Sequence, residues 1–172
     1  MISELPDFLL GQHYRDGGRD WRFTTLEQVT VRLDLPLSDV ISFRDRNGTE
    51  WARFTKNKLT IRAKYSWDGC SPKKRFAMLW LGTPDPHCTR LASLVHDVLY
   101  QFIATDHFPL SRKQCDAAFY DVMYLQRFLL AGMFHQAVRT FGGLYVANNS
   151  ASGVWSQVII PTLPKSQTDT AA

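Results

Sequence analysis

Residues 40–54, VISFRDRNGTEWARF, place Asn47-Gly48 between two runs of β-prone side chains. Both residues tolerate positive φ, so the dipeptide between apolar runs is a strong short-range signal for an antiparallel hairpin. That turn commits the first part of the chain to a sheet, and the flanks agree. On one side, TLEQVTVRLDLP (25–36) alternates about Val29, Val31 and Leu33. On the other, KLTIRAKYSW (58–67) sets Leu59, Ile61, Ala63 and Tyr65 against Thr60, Arg62, Lys64 and Ser66. Period-two alternation is the pattern of a strand with one face in a core. Three or four antiparallel strands are predicted between about residues 27 and 67.

The pattern changes at WDGCSPKKRF (67–76). Asp68-Gly69 and Ser71-Pro72 end the last strand, and Thr83-Pro84-Asp85-Pro86 makes a rigid loop because each proline fixes φ and removes a donor. Helical spacing then takes over. Leu91, Leu94, Val95, Val98, Leu99 and Phe102 fall on one side of a helix, with Thr89 the expected N-cap. Ser111 and Gln114 form a capping-box pattern opening SRKQCDAAFYDVMYLQRFLLA (111–131). Gly132 is expected to end that helix, and MFHQAVRTFGGLYVAN (133–148) reads as a third. The small polar tail 162–172 is expected to be disordered. The predicted fold is α+β: one domain over 1–161, β-rich at 20–67 and helical at 73–147. A small N-terminal antiparallel sheet is followed by a helical hairpin and a third helix.

Composition supports a folded domain, with 172 residues, 45% hydrophobic and 21% charged. The net charge of +4 is local. Residues 1–60 hold nine basic and nine acidic side chains and residues 91–172 five of each, whereas residues 61–90 hold six basic and two acidic. Lys73, Lys74 and Arg75 form the densest part of that surplus, which suits a phosphate or an anionic lipid surface, or is a solvated loop. No nucleic-acid recognition motif accompanies it. Cys70, Cys88 and Cys115 are odd in number and widely spaced, with no CxxC, which argues against a zinc knuckle or a disulfide scaffold and fits a reducing cytosol. The acidic N-terminus has only the short apolar run Phe8–Leu10, so no signal peptide is expected.

Within LASLVHDVLYQF (91–102), His96 and Asp97 interrupt an apolar helix. A buried ionisable pair costs several kcal/mol unless it is partnered or solvated. Ala92, His96, Tyr100 and Ile103 share a face, since residues three and four apart lie on adjacent turns. The short loop to the next helix lets the two pack antiparallel, which brings Asp116 toward His96. A carboxylate on one imidazole nitrogen fixes the tautomer and supports the charge formed when the other nitrogen takes a proton. His96 and Asp116 thus read as a general-base dyad, with Tyr100 able to hydrogen-bond Asp116. Asp97 points about 100° away round the helix, and a hard cation such as Ca²⁺ is its expected partner. The plainer reading is a satisfied structural pair.

DGCSPKKR, LVHDVLY and SRKQCDAAFYDVM, in that order, resemble the signature of a phage and prophage family, domain of unknown function 1353, over roughly residues 60–145. That resemblance implies synthesis in the cytoplasm of a bacterial host and brings no established activity. HDVLY followed by CDAAF is also similar, more distantly, to the catalytic helix pair of phospholipase A2 enzymes. The likeness implies a phospholipase A2-like lipid ester hydrolase with His96 as base, Asp116 as its partner, Tyr100 as support and Asp97 as a Ca²⁺ ligand. It also implies calcium contacts from an upstream glycine loop, for which YSWDGC (65–70) offers Asp68 and Gly69. That loop has one glycine where the enzymes use several. A phospholipid surface is then the expected partner of Lys73, Lys74 and Arg75, with Trp67 and Trp80 as exposed aromatics beside them. The alternative is a non-enzymatic phage-encoded binding or virion-associated protein that keeps the same helices as scaffold. A metal-dependent HD phosphohydrolase fits less well, because His87 lies only nine residues before His96 in a proline-rich loop.

Overall fold

The computed structural model describes residues 9–16, 19–37, 40–45, 47–67, 69, 87–105, 108–152 and 157–159, and only the backbone of 9–22, 87, 88, 144–152 and 157–159. The architecture is α+β, as expected. The strands are β1 (Leu9–Asp16), β2 (Arg19–Thr24), β3 (Val29–Arg32), β4 (Ile41–Arg44), β5 (Glu50–Thr55), β6 (Lys58–Ile61) and β7 (Ser66–Trp67). Helices α1 (His87–Phe102), α2 (Arg112–Leu125) and α3 (Ala131–Ser152) follow, and then β8 (Gln157–Ile159). Three strands form one antiparallel sheet in the order β1-β2-β7, and five form another in the order β3-β6-β5-β4-β8. Strand content therefore begins at Leu9, before the expected start near residue 20.

The Asn47-Gly48 turn joins β4 to β5 as predicted, with Gly48 at φ 78. Asp45 organises it. Its carboxylate accepts from the backbone N–H of Asn47 and Thr49 and from Trp51 Nε1, each at 2.9 Å. β5 turns into β6 through Lys56 (φ 46) and Asn57 (φ 62). Two successive left-handed residues match the twist of the strands they join.

Residues 58–67 do not make one strand. The chain leaves the larger sheet after Ile61 and pairs again in the smaller one, Trp67 opposite Phe23 and Ser66 opposite Thr24. Thr25 holds the bend. Its N–H donates to Tyr65 O at 2.9 Å, its carbonyl accepts from Lys64 N–H at 2.7 Å, and its hydroxyl donates to Arg62 O at 3.0 Å. Lys64 sits at φ 69. Burial keeps alternating across the bend, with Tyr65 and Trp67 inside and Lys64 outside, so the sequence pattern shows no break there.

All six periodic residues of α1, from Leu91 to Phe102, are buried against Phe43, Phe54, Leu59 and Ile61 in one core. Phe43 meets Phe102 at 5.2 Å between ring centroids. Polar contacts fix the helix on the strands: Trp67 Nε1 donates to Ser93 Oγ at 3.1 Å, and Tyr65 hydroxyl donates to Gln101. The helix begins at His87, directly after Pro86 in the sequence, so Thr89 lies inside it, fully buried, rather than capping it. His87 likewise belongs to the helix and not to a loop.

Ser111 caps α2 with the expected box to Gln114. The helix ends at Leu125 with Gln126 as its cap, before the expected break at Gly132, which instead lies in the first turn of α3. Arg127 takes φ 58, its N–H donates to Tyr124 O at 2.9 Å, and Phe128 N–H reaches back to Met123 O at 3.1 Å. This is the six-to-one, five-to-two bonding that ends helices through a left-handed residue. Glycine usually fills that position; here an arginine does, so composition gives no stop signal.

Candidate active site

The helical hairpin brings α1 and α2 together as the spacing requires. His96 Nε2 lies 3.2 Å from Asp116 Oδ1. Tyr100, one turn along α1, donates its hydroxyl to the same oxygen. The His96 ring lies tilted against Tyr100, centroids 4.0 Å apart, and against Phe119 at 4.8 Å. Asp116 is fully buried, while the His96 side chain keeps 12% exposure.

A third helix completes the arrangement. Arg139 Nη1 on α3 donates to Asp116 Oδ2 at 3.0 Å. Sequence reasoning missed this residue, although a signal existed: Arg139 is the only Asp, Glu, Lys or Arg in 131–152. Its placement depends on how α3 crosses the hairpin, which spacing alone does not give. Gly142 permits that crossing. A Cβ there would lie 2.6 Å from the Tyr100 hydroxyl, so α3 can lie against Tyr100 only without a side chain at this position.

The protonation states follow from these contacts. Burial pushes the Asp116 pKa up, but hydrogen bonds from His96, Tyr100 and Arg139 outweigh it and hold the carboxyl below its ordinary value. An ionised carboxylate only accepts, so His96 Nε2 must carry the hydrogen and Nδ1 keeps a lone pair. Burial lowers the pKa of His96 by more than Asp116 raises it, which leaves the imidazole neutral at neutral pH. Burial, reinforced by Asp116, drives the Tyr100 pKa far up and keeps that hydroxyl a donor. The same two causes push the Cys115 thiol up to about 12, so it is not a nucleophile.

The other expected site residues are not gathered in this way. Asp97 is half-buried beside His96, and Gly69 occupies a turn at φ 73. Asp68, Lys73, Lys74, Arg75 and Trp80 lie outside the described residues, as does the 162–172 tail. Trp67 is fully buried against Phe23 and Ser93, so it is a core residue and not a membrane-facing one. Among the described residues no three His, Cys, Asp or Glu side chains are grouped as a metal site. Calcium takes six to eight oxygen ligands, and Asp97 is the single described carboxylate of the implied set; the described residues alone do not make that site. A hollow of about 240 Å³ lies elsewhere, between Arg32–Leu35 and the Asp121–Leu125 end of α2, and does not reach His96.

No family model matches the chain, and no match was found among curated proteins or among solved structures.

Proposed function

We propose that the chain hydrolyses a lipid ester, with His96 as general base and Asp116 as the group that orients it. The observation that carries this reading is the His96–Asp116 pair, with its buried ionised carboxylate on Nε2 and a neutral imidazole whose Nδ1 is left to accept a proton. In that role Nδ1 takes a proton from water as the water oxygen attacks the ester carbonyl carbon. The imidazolium is held by the Nε2–H bond to Asp116, then returns its proton to the departing alkoxide as the tetrahedral intermediate collapses. Tyr100 and Arg139 spend their hydrogen bonds on Asp116, keeping it ionised and fixed. Phospholipid is the proposed substrate class by likeness of HDVLY and CDAAF to the phospholipase A2 helix pair. Calcium at Asp97, with Asp68 and Gly69, belongs to the same proposal, and no step above passes through it. So does a phage-related origin.

Fatty-acid release from mixed phosphatidylglycerol and phosphatidylethanolamine vesicles, with Ca²⁺ or with EGTA, tests this. Wild type is expected to release fatty acid and folded His96→Ala to lose at least about a hundredfold of that rate. Release that needs Ca²⁺ and is lost in Asp97→Asn supports the metal. No release from folded wild type in either condition sinks the reading.

One observation favours a second reading. Both oxygens of Asp116 are engaged, by side chains from α1 and α3. A buried carboxylate that ties three helices together is also what a non-enzymatic scaffold, binding another molecule on a different surface, requires.

A further inference from the structure

The turn from α2 to α3 carries apolar side chains that the fold does not use. Leu129 is 97% exposed, and Tyr124, Leu125 and Met133 are each more than half exposed, with Leu130 beside them. Between Val122 and Val138 a single Asp, Glu, Lys or Arg occurs, Arg127. It is exposed, at the left-handed position that ends α2. A non-glycine residue in that conformation is strained, so the tip holds a cation where glycine would fold more easily. Asp34 and Asp121 line the hollow beside Tyr124 and Leu125, which leaves Arg127 to Leu130 as the cationic end of the patch.

We propose that this turn is a membrane-docking tip that inserts Leu129, with Leu130 and Met133, into an anionic lipid surface while Arg127 meets headgroup phosphates. The shape selects the occupant. A leucine with 97% exposure stands on a convex tip, and fluid lipid closes round such a tip whereas a protein partner needs a matching hollow. The charge selects the lipid: one cation among apolar residues complements an anionic headgroup, and long cationic side chains reach the interface from apolar surroundings. No described helix is long and apolar enough to cross a membrane. Asp116 lies about 15 Å along α2 from Gln126; the tip anchors the protein and is not the mouth of the site. The proposal rests on the lipid reading above for its sense, but docking needs no turnover.

Co-sedimentation with vesicles of phosphatidylcholine, alone or mixed with phosphatidylglycerol, in EGTA, tests it with the full chain. Wild type is expected to bind the mixed vesicles and to bind the neutral ones more weakly. Leu129→Asp should lower that binding about tenfold or more, and Arg127→Gln should weaken the preference for phosphatidylglycerol. Unchanged circular dichroism of both variants confirms that the fold is intact. Undiminished binding by Leu129→Asp, or no binding by wild type, overturns the proposal. Self-association abolished by Leu129→Asp without vesicle binding also overturns it and makes the tip a contact between copies. Vesicle binding with no fatty-acid release sinks the hydrolase reading and leaves the docking tip standing.

Discussion

Asp116 is the residue on which the site turns, because three polar side chains from the two other helices meet at its buried carboxylate. Removing it leaves Arg139 and His96 without their acceptor, and breaking a buried pair costs about 3–5 kcal/mol. Asp116→Ala is therefore expected to lower the urea midpoint by that equivalent, whereas His96→Ala, which leaves Arg139 and Tyr100 on the carboxylate, should cost much less. Equal losses would mean that Arg139 and Tyr100 add nothing to the hub beyond His96. Half of this hub was legible beforehand. His96 and Tyr100 are one turn apart, and a short loop turns Asp116 back toward them, so spacing and connectivity suffice. Arg139 was not legible, since its contact depends on the path of α3 and no local pattern encodes a crossing between helices.

At the scale of elements, the approach of α3 to α1 depends on Gly142. Replacing a mid-helix glycine by alanine ordinarily stabilises a helix by about 1 kcal/mol. Here the new Cβ would meet the Tyr100 hydroxyl at 2.6 Å, and that hydroxyl is tied to Asp116. Gly142→Ala is expected to destabilise instead, by about 1–3 kcal/mol, and to cost less in a Tyr100→Phe background, where the hydroxyl is gone. A thermal-melt double-mutant cycle reads this; additive losses would rule out the contact as the cause. Element boundaries were legible where side chains announce them. Ser111 and Gln114 announce the start of α2, and Asn47-Gly48 the first hairpin. They were hidden where the backbone acts through an untypical residue, as at Arg127, or where alternation runs unbroken through a bend, as from Ile61 to Trp67.

For the whole molecule, acid stability should fall in two stages. The pKa of His96 is lower in the folded chain than unfolded, so below about pH 6.5 the unfolded state takes up a proton that the folded state refuses, and stability drops as pH falls. The Asp116 pKa is also depressed, so its contribution is present above the ordinary carboxylate value and is lost as pH falls further, through its folded value. Urea unfolding of wild type and His96→Gln between about pH 7 and 5 checks the first stage, which the variant should lack; an identical slope would assign it elsewhere. The overall class was legible because strand and helix periods occupy separate halves of the chain. The division into two sheets was not, because it rests on Thr25 bonding across to residues 62–65. Nor was β8, which pairs Gln157–Ile159 with Ser42, Phe43 and Arg44 from the other end of the sequence. That pairing sets an order of events during synthesis. On the ribosome, β4 emerges well over a hundred residues ahead of the strand that covers it, a wait on the order of ten seconds. Through that interval its outer edge has no partner from its own chain, and nascent copies on one messenger are most prone to stick to each other there.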